Sequence, residues 1–336
     1  MNWIPFPDPR LAVYGLPWFR ENSPRLWRLP GRLRGVVRDP VWDLAEQPSG
    51  GRIRFTTDAT TLGIRLHYPT YERYPNICVI GQMGVDLYVD GDYYRTAYPT
   101  EAGDLETLFF EGLSARGREI TLYLPLYAPV EVVAVGVNGG ASVEGAEPFV
   151  LPDPVVYYGS SITQGGCASR GGLSYQAILG RALHIDFVNL GFSGNGRGEP
   201  ELARAMAEVP ASCYVVDFAQ NCVSVEALAE VYAPFLAILR GAHPETPILC
   251  TTPIFSTSEL WRPASRERLE GMRRVIRAAA EARIAMGDTR LDLVEGYELL
   301  GPDQQEGFVD GTHPNDLGFE SMAAGLLPVL TRALEV

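Results

Sequence analysis

The stretch Val155-Val156-Tyr157-Tyr158-Gly159-Ser160-Ser161-Ile162-Thr163-Gln164-Gly165-Gly166 decides the architecture of the second half of this chain. Four apolar residues in a row predict a strand buried on both faces, and the Gly-Ser-Ser that follows predicts a sharp turn into a helix. Three more runs share that character: Phe187-Val188-Asn189-Leu190, Tyr214-Val215-Val216-Asp217-Phe218 and Ile248-Leu249-Cys250-Thr251. Helical patterns separate or follow them at Ser174 to Leu183, Val225 to Leu239, Arg266 to Ile284 and Phe319 to Leu334. Strands alternating with helices imply right-handed crossovers and a parallel sheet covered on both faces, a three-layer α/β fold.

Upstream the pattern changes to period two. Arg52-Ile53-Arg54-Phe55-Thr56, Ile64-Arg65-Leu66-His67-Tyr68 and Val85-Asp86-Leu87-Tyr88-Val89 alternate, and Asp90-Gly91 is a hairpin turn into Asp92-Tyr93-Tyr94-Arg95. Ile120 to Leu124 and Val130 to Val135 follow at similar spacing, with no helical pattern between the runs. Short strands punctuated by Gly, Pro and Asp predict an all-β sandwich or jelly roll. The Pro-rich stretch Glu144 to Pro154 reads as a linker, so residues 1–150 are expected to form an accessory β domain and 151–336 an α/β domain. Trp3, Trp18, Trp27 and Trp42 precede the sandwich strands in a Pro- and Arg-rich stretch and are expected to pack rather than bind sugar. Tyr68, Tyr71 and Tyr74, with Arg73, either roof a pocket or stabilise an interface.

Composition narrows the function. The 336 residues are 46% hydrophobic and 21% charged, as in ordinary globular chains, so a substantial core is expected. A net charge of −13 argues against nucleic-acid partners and against acidic membrane surfaces. Every basic residue is Arg, which excludes Schiff-base and P-loop chemistry, both dependent on Lys. Cys78, Cys167, Cys213, Cys222 and Cys250 have neither zinc spacing nor an even count, so metal sites and disulfides are not expected. With no basic leader before an apolar run and no long apolar segment, the expected location is cytoplasmic.

In a parallel α/β sheet, chemistry is sought beyond the carboxyl ends of the strands. The first strand runs into Gly159-Ser160-Ser161-Ile162, where a serine either caps the helix or exposes its hydroxyl beside helix N-terminal amides. The second ends in Asn189-Leu190-Gly191-Phe192-Ser193-Gly194, a turn whose glycines also allow backbone amides to approach a substrate. The third reaches Asn221, either a cap or a side-chain donor to an oxyanion. Near the end, Asp310-Gly311-Thr312-His313-Pro314 puts a carboxylate three residues before an imidazole, able to fold back onto one ring nitrogen and leave the other as a base. His67, His184 and His243 have no comparable sequence neighbour and are read as structural.

Taken in order, these four loops resemble the blocks of the SGNH (GDSL-type) hydrolases, from Pro154 to the carboxyl terminus. The resemblance implies a flavodoxin-like SGNH α/β/α catalytic domain with Ser161 as nucleophile, His313 as base and Asp310 as its orienter. It further implies an oxyanion hole of the Ser161 and Gly194 amides and the Asn221 side chain. Ser160 stands where the family has Asp, and Ala219 and Cys222 flank Asn221 in place of Gly and Asp. Gly84-Val85-Asp86-Leu87-Tyr88 resembles the GxDLY signature of a jelly-roll companion domain.

Those roles imply acyl transfer through a covalent serine intermediate, with no metal or organic cofactor. The expected activity is a serine esterase (carboxylesterase or acetylesterase) removing small acyl groups, with an acylated carbohydrate or glycoside as leading substrate. An acyltransferase using the same triad is the first alternative, and a carbohydrate-binding protein with a silent hydrolase domain the second. The partner expected is a small-molecule ester, with neither nucleic acid nor membrane, and with homo-oligomerisation left open.

Overall fold

In the computed structural model, which describes residues 1–336, the period-two half forms ten strands. They are β1 (Asn2–Pro5), β2 (Ala12–Tyr14), β3 (Arg52–Thr57), β4 (Leu62–Tyr68), β5 (Val85–Val89), β6 (Asp92–Ala97), β7 (Gly103–Phe110), β8 (Arg118–Tyr123), β9 (Glu131–Val137) and β10 (Val143–Gly145). One sheet has the order β1-β9-β4-β7, and the other β10-β3-β8-β5-β6 with β2 added on β3. All pairings are antiparallel. Alternate residues such as Ile53, Phe55, Leu66, Leu87, Ile120, Leu122 and Val135 fill one apolar core, as the period predicts. The β5–β6 hairpin turns on Asp90 (φ 53°) and Gly91 (φ 87°), the left-handed pair a tight primed turn requires.

The amino-terminal stretch contributes the strands β1 and β2. Within it, Trp18 and Trp42 are buried, and Trp27 stands edge-on to Trp42 with ring centres 5.2 Å apart. Tyr68 is a core residue, its hydroxyl donating to the Met83 carbonyl at 2.6 Å. Gly84 lies where a Cβ would stand 2.3 Å from the Ile80 carbonyl oxygen. Two residues on, the buried Asp86 accepts from Thr96 Oγ1 at 2.6 Å and from the Gly172 amide at 2.8 Å. The 84–88 stretch is thus a structural knot of this unit, which comprises Met1–Arg34, Trp42–Phe149 and Ser169–Gly172.

The second unit comprises Gly35–Val41, Val150–Ala168 and Leu173–Val336. Its strands are β11 (Val155–Gly159), β12 (Phe187–Gly191), β13 (Cys213–Asp217), β14 (Ile248–Thr251) and β15 (Leu291–Val294). They pair in parallel in the order β12-β11-β13-β14-β15. Helices Tyr175–Leu183, Pro200–Ala207, Val225–Ala242, Pro263–Ala285 and Asp316–Leu334 provide the crossovers and close the chain. Ser224 and Asn315 start two of these helices by accepting from the amides of Ala227 and Gly318. The chain leaves β11 for β12 on one side and returns to β13 on the other. Their carboxyl ends therefore flank the point where strand order reverses, where such sheets open a crevice. No helix is long and apolar enough to cross a membrane.

Candidate active site

At the end of β11 the two serines divide the roles that the sequence leaves open. Ser160 has extended dihedrals (φ −89°, ψ −162°) and caps the short helix Ser161–Gln164, its Oγ accepting from the Ile162 amide at 3.2 Å. Ser161 is not the cap; its Oγ lies 2.9 Å from His313 Nε2. The carbonyl of Ser161 is held by the amides of Gly165 and Gly166 at 3.1 and 3.0 Å. These bonds make the serine loop a closed turn.

His313 sits in the turn before the last helix. Asp310 Oδ1 accepts from the amides of Thr312 and His313 at 3.0 and 2.9 Å, and its Oδ2 lies 2.8 Å from His313 Nδ1. A carboxylate only accepts, so Nδ1 carries the proton and Nε2 of the neutral ring presents its lone pair to Ser161. Gly311 (φ 82°) makes the turn possible, and its carbonyl is held by the Thr257 amide at 2.9 Å and Ser256 Oγ at 3.0 Å. Beneath them, Ser256 N–H donates to Glu259, which is buried in a 2.8 Å pair with Arg273.

Gly194 and Asn221 lie on the neighbouring loops. Gly194 (φ 68°) has open space where a side chain would stand, and its N–H has no acceptor within the chain. Asn221 ends a short turn after β13, and its Oδ1 accepts the Gly196 amide at 3.3 Å, leaving Nδ2 as its donor end. The loops are tied together: Phe192 N–H donates to Gly159 O at 2.9 Å and Ser193 N–H to Gln164 Oε1 at 3.0 Å. A Cβ on Gly196 would stand 2.0 Å from Gly159 O, so only glycine allows this approach. Ala219 and Cys222, the departures around Asn221, are both buried, with the Cys222 amide donating to Ala219 O at 3.0 Å. Burial pushes the Cys222 thiol up to about 11.

Several supporting residues are not singled out by sequence reasoning. Arg38, from the early segment that belongs to this unit, donates Nη1 to Asn195 Oδ1 and Nη2 to Asn195 O, each at 2.8 Å. Its Nε donates to Glu199 at 2.8 Å, and its Nη2 also reaches that carboxylate. Glu199 in turn receives Tyr158 Oη at 3.2 Å, closing a clamp around the Gly194–Gly198 loop. Asp217, at the end of β13, is buried under the serine loop, with Thr163 Oγ1 3.4 Å away. Burial raises its carboxyl to about 7, against hydrogen bonds from Thr251, Gln220 and Thr163 that lower it. Arg38 is one of many arginines in its stretch, and Asp217 reads as the end of an apolar run, so neither carries a local signal.

The other histidines lie elsewhere. His67 has a partner that strand register supplies, Asp104 opposite it on β7 at 2.6 Å. His243 Nε2 meets the Ala207 carbonyl at 2.7 Å, and His184 ends a helix in the left-handed region. One group of side chains at the site has metal-ligating chemistry: Cys167 Sγ, an Asp310 oxygen and a His313 ring nitrogen lie within 4.8 Å of one another.

With this geometry in place, the likenesses to known proteins take on meaning. The family model of GDSL-like lipases and acylhydrolases matches residues 152–331, and that of the GxDLY-type N-terminus of SGNH-hydrolase-type esterases matches residues 1–143. A solved GDSL-like lipase from Bacteroides ovatus is 29% identical over 99% of this chain and 98% of its own, with a TM-score of 0.91. A salicylyl-acyltransferase from a tetracycline biosynthetic pathway shares the fold at 24% identity, covering 100% and 98% of the two chains with a TM-score of 0.86. A family two carbohydrate esterase from Clostridium thermocellum shares it at 16% identity, over 85% and 93%, with a TM-score of 0.65. No curated protein matches the chain.

Proposed function

Because the chain belongs to the family of GDSL-like lipases and acylhydrolases, we propose that it is a serine ester hydrolase acting through Ser161, His313 and Asp310. The hydrogen-bonded series Asp310–His313–Ser161, at 2.8 and 2.9 Å, carries this reading. His313 Nε2 takes the Ser161 proton as Oγ attacks the ester carbonyl, and Asp310 stabilises the imidazolium that forms. The oxyanion is received by the amides of Ser161 and Gly194 and by Asn221 Nδ2; loss of one such donor costs about 3–4 kcal/mol of barrier. The imidazolium then protonates the leaving alcohol. Water, deprotonated by His313, attacks the acyl-enzyme and releases the acid.

The substrate class proposed is a small acyl group on a carbohydrate or glycoside. Support comes from the fold shared with carbohydrate esterases, among them an acetyl xylan esterase from Butyrivibrio proteoclasticus. In this reading residues 1–150 are the accessory domain and 151–336 the catalytic domain. A second reading keeps every step but replaces water with an acceptor alcohol; the full-length fold likeness to a salicylyl-acyltransferase favours testing it.

The deciding experiment follows hydrolysis of p-nitrophenyl acetate, butyrate and octanoate, and of an acetylated glycoside, with released acid measured beside released alcohol. Short-chain turnover lost in Ser161→Ala, with acid equal to alcohol, supports the hydrolase. Alcohol released in excess of acid when an acceptor is present supports transfer. Equal rates in wild type and Ser161→Ala overturn both.

A further inference from the structure

Cys167 lies on the nucleophile loop yet has no part in the acyl-transfer steps. Its sulfur, an Asp310 oxygen and a His313 nitrogen lie mutually within 4.8 Å, which brings a thiol, a carboxylate and an imidazole to one point. We propose that this trio is an inhibitory site for a borderline-soft divalent cation of the Zn²⁺ type, whose occupancy switches the esterase off.

The geometry needs little adjustment. With metal–sulfur bonds near 2.3 Å and metal–nitrogen or –oxygen bonds near 2.0–2.2 Å, a tetrahedral ion holds its ligand atoms about 3.3–3.6 Å apart. The Asp310–His313 contact of 2.8 Å would open by a few tenths of an ångström, and no donor pair starts more than 4.8 Å apart. Both donor loops are already fixed. The Cys167 amide donates to the Pro314 carbonyl at 3.1 Å, joining the loop of Cys167 to that of His313. On the other side, Asp310 Oδ1 is held by two backbone amides, leaving Oδ2 toward the ring. The His313 and Asp310 side chains are 24% and 36% exposed while Cys167 is buried, so an ion reaches the thiol from the carboxylate and imidazole side.

Chemistry selects the ion. A sulfur, nitrogen and oxygen donor set favours Zn²⁺, Cd²⁺ or Co²⁺ over Mg²⁺ and Ca²⁺, which prefer all-oxygen shells. Ligation converts the Cys167 thiol to a metal-bound thiolate, and its proton leaves to solvent. Because Asp310 Oδ2 faces Nδ1, an ion shared by the trio sits on Nδ1 in place of the ring proton, which moves to Nε2, where it points at Ser161. The base is then lost. The metal is therefore an inhibitor rather than a cofactor, and its binding does not depend on the proposed ester chemistry.

The test uses the full-length chain with Cys78, the exposed thiol, replaced by Ser, and with Ser161→Ala added so that binding is read apart from turnover. Zn²⁺ titration by calorimetry is expected to give one ion per chain with about one proton released, and Co²⁺ to give a sulfur-to-cobalt charge-transfer band. Adding Cys167→Ser is expected to weaken binding at least tenfold and abolish the band. Zn²⁺ should also stop ester turnover by the Ser161-containing protein, and a chelator should restore it. Unchanged affinity after Cys167→Ser, or a Co²⁺ complex without the band, would overturn the proposal. Should the Cys167 variant fail to fold, the band in the Cys167-containing protein decides alone.

Discussion

Asp310→Asn separates the orientation of His313 from the mere presence of a polar neighbour. In the wild type one carboxylate oxygen takes two backbone amides, at 3.0 and 2.9 Å, while the other takes the ring N–H at 2.8 Å. An asparagine keeps only one acceptor. If its oxygen stays on the backbone, its NH₂ faces Nδ1, and the ring must move its proton to Nε2, where it can no longer accept from Ser161. Flipping the amide restores the tautomer but sets NH₂ against two N–H groups, forfeiting two hydrogen bonds, about 2–3 kcal/mol. The flipped form also lacks the charge that stabilises imidazolium in the transition state, about another 1–2 kcal/mol. The total, about 3–5 kcal/mol, corresponds to a fall in kcat of roughly 10²- to 10⁴-fold. The assay is steady-state hydrolysis of p-nitrophenyl acetate, with circular dichroism and thermal unfolding to establish that the variant is folded. KM should change little because Asp310 acts through the ring. A folded variant within tenfold of the wild-type kcat would refute the tautomer argument.

Three further expectations follow from the surrounding network. Arg38→Ala frees Asn195 and Glu199, so kcat should fall roughly 10- to 100-fold with little change in KM, as misplacement of a catalytic loop does; Arg38→Lys, unable to fork, should recover only part. Steady-state kinetics that leave kcat unchanged in Arg38→Ala would contradict the clamp. Asp217, raised to about 7 from 3.8, keeps its proton in the folded state after the unfolded chain has lost it, so its stabilisation is full below about pH 4 and is lost as pH rises through 7. Urea unfolding at pH 5 and pH 8.5 should show the part of this loss that lies above pH 5 in wild type, with a ceiling of about 3 kcal/mol, and a flatter profile in Asp217→Asn; parallel profiles would count against the assignment. Arg273→Ala leaves Glu259 buried without its cation and should cost about 3–5 kcal/mol, lowering the urea midpoint markedly. An unchanged midpoint would show that the pair does not support the histidine turn.

What the sequence made legible follows from burial. The central parallel strands read directly, because residues such as Val155–Tyr158 and Ile248–Leu249 are buried on both faces and form unbroken apolar runs. The strands that escaped reading include edges. β1 contains Pro5, the alternation of β7 breaks after Glu106 where Thr107 is followed by an exposed Leu108 and then Phe109-Phe110, and Asp292 interrupts the apolar run of β15. Each has one side without a strand partner, so solvent relaxes its pattern. At the site, Asp310 and His313 are legible because their contact spans three residues, whereas the Arg38–Glu199 contact spans 161. Cys167 lies between the two: its position on the serine loop is local, but its closeness to His313 exists only once the loops after β11 and before the last helix are brought together.

The most direct test of Ser161 as nucleophile is intact-protein and peptide mass spectrometry after labelling with a fluorophosphonate, which traps a serine activated by its base. A single adduct on the peptide carrying Ser161, lost in Ser161→Ala and strongly slowed in His313→Ala, is the result predicted. An adduct on another residue, or labelling at equal rate without His313, would contradict it.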